Sequence, residues 1–514
     1  MKKLTVMQPF FFAAYPILFV FANNIKMLFL ADLLKLLLIV VTFCAIIFIG
    51  LYARLKLINK TALITSTIML VTLNYGLAFD FIRTTPFNDV LKGKQTPAFI
   101  FVIILTLVVS SLILKSKKYL SPMVLLFNII SIIIIVIPLF QIISFYSKYG
   151  KVYFSNSDYV SKSKTQNISK DFEDQPDIYY FIIERYGRND TLKNIYGFNN
   201  SEFSDYLKGK GFSIPKKSWA NYTQTQLSLA SSLNMNYVDQ LMKDPKDSGN
   251  DHPLINLIED YKVWHFLKSK GYTFIHSGSW WSGTVFNRYA NKNINIPALS
   301  EFSELVFNRT IFFPIIIKLQ IPLFNHRLNN WIRPFYKFDE LAKIPEMKEP
   351  TYTFTHFMMT HEPFVFDKDG NYVSEEDINN KDIKQNYREQ IIFTNKKFQE
   401  LINTLLEKSG NIPPIIIIQS DEGPYPEQYE MDSQNYDWSK ANEDEVREKM
   451  AILNAYYLPH GGDKLLTDFI TPVNSFRLIF NYYFDQNFEI LPNKSFLSNL
   501  GQPFKFITIN RDPM

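Results

Sequence analysis

Residues 176–190 read PDIYYFIIERYGRND, an apolar run opened by Pro-Asp and closed by an acid, Glu184. A strand with one wet face alternates polar and apolar side chains. This run does not alternate, so it reads as a strand covered on both faces. Four more runs share the pattern: YTFIH (272–276), YTFTHFMM (352–359), PPIIIIQSD (413–421) and AILNAYYL (451–458). Helical patterns at 200–210, 225–235, 257–269, 384–408 and 473–484 fall between or after them. Strands alternating with helices predict an α/β domain, a mostly parallel sheet with helices on both faces.

In such sheets a site forms outside the carboxyl ends of the strands. The polar residues collect there: Glu184 closes the first run, His276 the second, His361 follows the third, and Asp421 with Glu422 closes the fourth. One such residue alone reads most simply as a cap or loop residue, but their shared position points to convergence on one rim. The stretch NYTQTQLSLASSLN, residues 221–234, puts Thr225 at the start of a helical pattern. Unpaired backbone N–H groups there favour a phosphate, although a plain helix cap needs the same residue type. A threonine hydroxyl is a weak nucleophile, and a coordinated metal held by strand-end carboxylates is one way to activate it.

Working towards the N-terminus, the composition changes. The chain has 514 residues and is 47% hydrophobic overall, but the apolar residues crowd into the first 146. Five stretches, at 8–22, 30–52, 62–82, 97–114 and 122–146, approach the roughly 20 residues that a membrane helix needs. Lys2 and Lys3, then Arg54, Lys56 and Lys60, then Lys115, Lys117 and Lys118 fall on one side of these spans. Basic loops stay cytoplasmic, so the N-terminus is expected inside and everything after Phe145 outside. Asp80 fits the membrane interface. The expected organisation is a transmembrane domain over 1–146 with about five helices, a linker over 147–175 and an extracytoplasmic catalytic domain over 176–514.

Other classes are disfavoured. A net charge of +5 with no basic run interleaved with aromatics gives nucleic acid no footprint. The single cysteine, Cys44, lies in an apolar run, so neither a disulfide framework nor a cysteine zinc site can form. The spans carry no paired charges of the kind a transporter uses.

The ordered set PDIYYFIIERYGRND, NYTQTQLSLASSLN, THEPFVFDKDG and IIIIQSDEGPYP resembles the alkaline phosphatase and sulfatase-like superfamily. Within it, the chain is similar to membrane proteins related to lipoteichoic acid synthases and phosphoethanolamine transferases. The resemblance implies that Glu184 and Asp421 are metal ligands and that Thr225 is a nucleophile that also touches the metal. It further implies that His361 contacts the transferred phosphoryl group or moves a proton. The activity implied is transfer of phosphoglycerol or phosphoethanolamine from a membrane lipid donor to a cell-envelope polymer or glycolipid, through phosphothreonine. Alternatives are a phosphoesterase or phosphodiesterase of the same fold and a non-catalytic envelope-binding protein. Sulfate ester hydrolysis is disfavoured, because the nucleophile position holds Thr225 rather than a modifiable Cys or Ser.

One departure bears on the metal. Where the family has Asp followed by His, this chain has Asp421 followed by Glu422. An all-oxygen set of Glu184, Thr225, Asp421 and Glu422 favours Mn2+, with Mg2+ or Ca2+ acceptable and Zn2+ disfavoured. The loop 276–291, HSGSWWSGTVFNRYAN, offers His276, Trp280, Trp281, Asn287 and Asn291 for a headgroup or sugar, and Arg188 could clamp a phosphate. Trp280 and Trp281 also suit a cover over the core, and Arg188 also suits a structural ion pair. His356, inside an apolar run, reads as a packed core residue.

Overall fold

The computed structural model describes residues 6–85, 95–117, 120–155, 175–242 and 250–510. Most of the expected linker, 156–174, lies outside that set, as do Lys2, Lys3 and Lys118. The chain forms two compact units, Met1–Phe154 with Ala298–Asn325, and Ser155–Pro297 with His326–Met514.

In the first unit, helices Leu30–Leu55, Ile58–Arg83, Thr96–Lys115 and Ser121–Tyr149 are long and apolar enough to cross a membrane. Helix Gln8–Asn23, at 16 residues, is apolar but shorter. At a rise of about 1.5 Å per residue it reaches roughly 24 Å, less than a bilayer core.

Helix Ile58–Arg83 is broken at Asn74, which has φ −125° and ψ 15°. The break sets free one pair that an unbroken helix would join, the Gly76 N–H and the Thr72 carbonyl. Both find partners on the segment 298–325. Gly76 N donates to Arg309 O at 2.8 Å, and Ile311 N donates to Thr72 O at 2.8 Å. Because no polar backbone group is left unsatisfied, the break is tolerable in an apolar setting. The same segment packs Phe302 against Phe21, with ring centroids 5.7 Å apart. The stretch 298–325 therefore belongs to the helical unit and interrupts the span 176–514 expected for the α/β domain.

The second unit is built on a six-stranded sheet. Its strands are β1 (Ile178–Ile183), β2 (Thr273–Ser277), β3 (Lys292–Ile294), β4 (Thr351–Phe357), β5 (Ile415–Gln419) and β6 (Asn454–Tyr457). The order is β3-β2-β4-β1-β5-β6, parallel throughout except for β6, which runs antiparallel to β5. The sheet is thus mostly parallel, as the unbroken apolar runs predict. Short β3 has no such run and escaped the sequence reading. Every residue of β1, β4 and β5 is buried, which is why none of them alternates. Phe181, Phe338, Phe357 and Phe398 interlock in one core cluster. The helical pattern at 257–269 resolves into two helices, His252–Glu259 and Lys262–Ser269, parted at Asp260 (φ −118°, ψ 86°). For the site, the decisive feature is that β1 lies between β4 and β5, so three adjacent strands end side by side.

Gly76 tests the broken helix. A Cβ there would lie 2.8 Å from Arg309 Cα, whereas a Cβ on Gly50 would meet nothing within 4 Å. Gly76→Val should lower the stability of the detergent-solubilised chain by about 1–3 kcal/mol, read as a drop in Tm, and Gly50→Val should change it little. Equal Tm values for the two variants would contradict the close approach.

Candidate metal centre

β1 ends at Ile183, and the next residue, Glu184, still donates its N–H to Phe357 O of β4 at 2.9 Å. Its own carbonyl accepts the Thr360 hydroxyl. This fixed backbone holds the Glu184 side chain at the carboxyl end of the sheet. His356 of β4 is in register with Ile182, and its Nε2 lies 2.8 Å from Glu184 Oε2. Asp421 follows two residues beyond β5. The ligand atoms of Glu184, His356 and Asp421 all lie within 4.8 Å of one another, and none of the three residues is more than 2% exposed.

Thr225 is the first residue of helix Thr225–Asn234. Its hydroxyl donates to Glu184 Oε1 at 2.9 Å. The approach to this helix is pinned from the far end of the chain: Thr223 donates to Ser498 O at 2.8 Å, and the Gln224 amide donates to Asn499 O at 2.9 Å. The hydroxyl is therefore held at a helix start beside a carboxylate.

The electrostatics are unbalanced. Burial, reinforced by the charge of Glu422 and opposed by Arg185, pushes the Glu184 carboxyl up to about 7. Burial and the charges of Glu184 and Glu422 push Asp421 well above the usual carboxylate range. Burial holds the His356 imidazole down to about 4. Neither oxygen of Asp421 meets a hydrogen-bond donor among the described residues. Two buried carboxylates, one without donors, and an imidazole nitrogen within ligand range of one another fit a divalent cation, whose charge would relieve the repulsion.

Behind His356 stands a relay of hydroxyls. Its Nδ1 lies 2.8 Å from Thr284 Oγ1, which lies 2.8 Å from Ser279 Oγ. Trp281 sits edge-on to the same imidazole at 6.1 Å. Such partners fix the tautomer and orientation of a ligand histidine.

His356 is the residue that sequence reasoning missed: it reads as core because it is fully buried in an apolar strand. The available signal was its place beside the end of β1, visible only once β4 and β1 are known to be neighbours. Its nitrogen also overturns the premise of an all-oxygen donor set. Glu422, expected among the ligands, is instead bound by cations. Its Oε1 lies 2.9 Å from Lys449 Nζ and 3.5 Å from Arg185 Nε. Both cations stack over the Tyr425 ring, at 3.7 Å for Lys449 and 3.4 Å for Arg185. Arg185 reaches this position from a left-handed backbone, φ 55°.

The remaining expected residues separate. His361 is half-buried at the rim, with its ring 5.5 Å from Trp280. Its Nδ1 donates to Glu362 O, which leaves Nε2 as an unprotonated acceptor. Desolvation and the Arg185 charge hold this imidazole below its ordinary range. Arg188, expected as a phosphate clamp, is instead committed to Asp190 through two bonds of 2.7 and 2.8 Å and to Ser218 O. His276 is buried and bonds Thr284 O at 2.7 Å, so it shapes the 278–284 loop rather than facing a ligand. Asn287 is buried and bonds Glu259 O, and Asn291 accepts from Phe274 N at 3.0 Å. Both asparagines tie the loop down, because buried or strand-end backbone groups need partners.

No family model and no curated protein matches this chain. Solved structures do. Lipooligosaccharide phosphoethanolamine transferase A from Neisseria meningitidis, an integral membrane protein, is 10% identical, with 91% of this chain and 94% of that chain covered and a TM-score of 0.38. The C-terminal periplasmic domain of EptC from Escherichia coli, in complex with Zn, is 12% identical over 66% of this chain and 94% of that one, with a TM-score of 0.39. The lipoteichoic acid synthase LtaP from Listeria monocytogenes is 13% identical over 72% of this chain and 91% of that one, with a TM-score of 0.38. Both kinds of protein are those the sequence motifs resemble.

The Glu422 and Lys449 side chains are 1% and 0% exposed, so removing one leaves the other charge buried. Lys449→Met should destabilise the chain by about 3–5 kcal/mol, and adding Glu422→Met should recover most of the loss. Thermal unfolding of both variants checks this; a double variant no more stable than the single one would mean that the pair is not isolated.

Proposed function

We propose that the protein is a metal-dependent phosphotransferase. In this reading it moves a phosphate-linked headgroup, phosphoglycerol or phosphoethanolamine, from a membrane lipid to a cell-envelope acceptor, with its catalytic unit on the extracytoplasmic side. The observation that carries the reading is the Thr225 hydroxyl, 2.9 Å from Glu184 in a buried group that also holds His356 and Asp421. Glu184, His356 and Asp421 would hold the ion, with Thr225 beside it, and Glu422 would act from outside that group through Lys449 and Arg185. A nitrogen among carboxylates suits Mn2+ or Zn2+ better than Mg2+ or Ca2+. Once bound, the cation would lower the basicity of the threonine alkoxide and offset charge on the phosphoryl oxygens.

Thr225 already has a proton acceptor in Glu184 Oε1. In the first displacement a bond forms between Thr225 Oγ1 and phosphorus while the bond to the diacylglycerol oxygen breaks, and that oxygen takes up a proton. In the second, an acceptor hydroxyl attacks phosphorus, gives up its proton and frees Thr225. The unprotonated Nε2 of His361 is a base suited to that proton. A lipid donor would account for a catalytic unit carried on the same chain as four apolar helices.

The test uses the full chain with Mn2+ or Zn2+ and a phospholipid labelled in its headgroup. Label should appear on Thr225 and then on an added glycolipid acceptor. Thr225→Ala should abolish both and lower turnover by at least about a thousandfold. Absence of label on Thr225 with label released as free headgroup would replace the transferase reading with hydrolysis. His356→Gln should weaken binding of the ion by more than about tenfold, measured by calorimetric titration; unchanged affinity would remove His356 from the ligand set.

A further inference from the structure

Helix His326–Leu341 carries two cations one turn apart on its buried side. Arg333 is 3% exposed and Lys337 is 1% exposed. Charges so deeply buried are normally paired with an opposite charge. Here their partners are neutral. Arg333 donates to the side chains of Asn295 and Asn329 and, at 3.4 Å, to Ser279 O. Its Nε has no partner among the described residues. Lys337 Nζ donates to His356 O at 2.5 Å and lies 4.4 Å from the centre of the Phe357 ring. No described carboxylate forms an ion pair with either residue, and burial alone holds the Arg333 guanidinium down to about 10, so it stays charged at neutral pH.

Both side chains line one small enclosed space with Ser279, Trp280, Asn330 and Met358. Its volume is about 20 Å³. That is room for one species the size of a water molecule or slightly larger, and too little for a tetrahedral oxyanion. Two buried cations, one with an unpartnered N–H, facing a void of that size lack a single small negative charge.

We infer that this cavity is a binding site for a halide-sized monovalent anion, held between Arg333 and Lys337. The anion compensates the two cations and lets Lys337 keep its hold on the His356 carbonyl, which fixes the end of β4 from behind. The site is distinct from the Glu184, His356 and Asp421 group and does not depend on the reaction proposed for it.

Bromide is the probe. Crystals of the full chain grown or soaked in sodium bromide should give an anomalous peak within hydrogen-bond reach of Arg333 and Lys337 Nζ. A cavity holding only water, or bromide found only elsewhere, would overturn the inference. In solution, Tm should be higher in sodium chloride than in sodium gluconate at equal ionic strength, since an ion that binds only the folded state raises its stability. Lys337→Met should lose that difference, and its persistence in the variant would count against the site. Should Lys337→Met fail to fold, the bromide measurement on the unaltered chain still decides.

Discussion

Two carboxylates, Glu184 and Asp421, are brought together out of water at the ends of neighbouring parallel strands, and much of the surrounding structure answers that one electrostatic problem. Burial disfavours their charged forms, and their mutual repulsion adds to the cost. Hydrogen bonds from Thr225 and His356 satisfy both oxygens of Glu184. Asp421 has no such donor among the described residues. A group left in that state is poorly arranged for stability alone and well arranged for a cation.

The charges nearby are distributed so as to leave the centre negative. Arg185 and Lys449 could in principle neutralise Glu184 or Asp421, but both are drawn to Glu422, one residue further along, and stacked on Tyr425. The extra carboxylate at position 422 thus holds the local cations away from the ligand group while His356 supplies a nitrogen from the next strand. On the far side of β4, Arg333 and Lys337 lie behind His356 with no carboxylate of their own. A histidine between two carboxylates in front and two cations behind sits where the potential changes sign, and its backbone and both ring nitrogens are all bonded.

The helical unit solves a different problem by the same rule. Breaking helix Ile58–Arg83 at Asn74 exposes one donor and one acceptor in an apolar setting, where an unpaired backbone group costs several kcal/mol, on the order of a full desolvation penalty. The segment 298–325 returns one acceptor and one donor to the same place. Gly76, lacking a Cβ, lets the two backbones come close enough for this exchange.

Unbroken apolar runs ending in polar residues were enough to identify the α/β class, the positions of β1, β2, β4 and β5, and the parts played by Glu184, Thr225 and Asp421 as neighbours at one rim, because burial on both faces and strand termination are local properties written in short stretches of chain. The long apolar helices were legible for the same reason. Strand order was not. That β4 lies beside β1, which converts His356 from core residue to candidate ligand, follows from pairing between residues about 170 positions apart, as in the 2.8 Å contact of His356 with Glu184. Nor could sequence reveal that Glu422 turns to Lys449, that Arg188 is bound to Asp190, or that 298–325 leaves the α/β unit for the helical one. Local pattern fixes which side chains must be buried; which buried charges meet is decided only when the strands take their order.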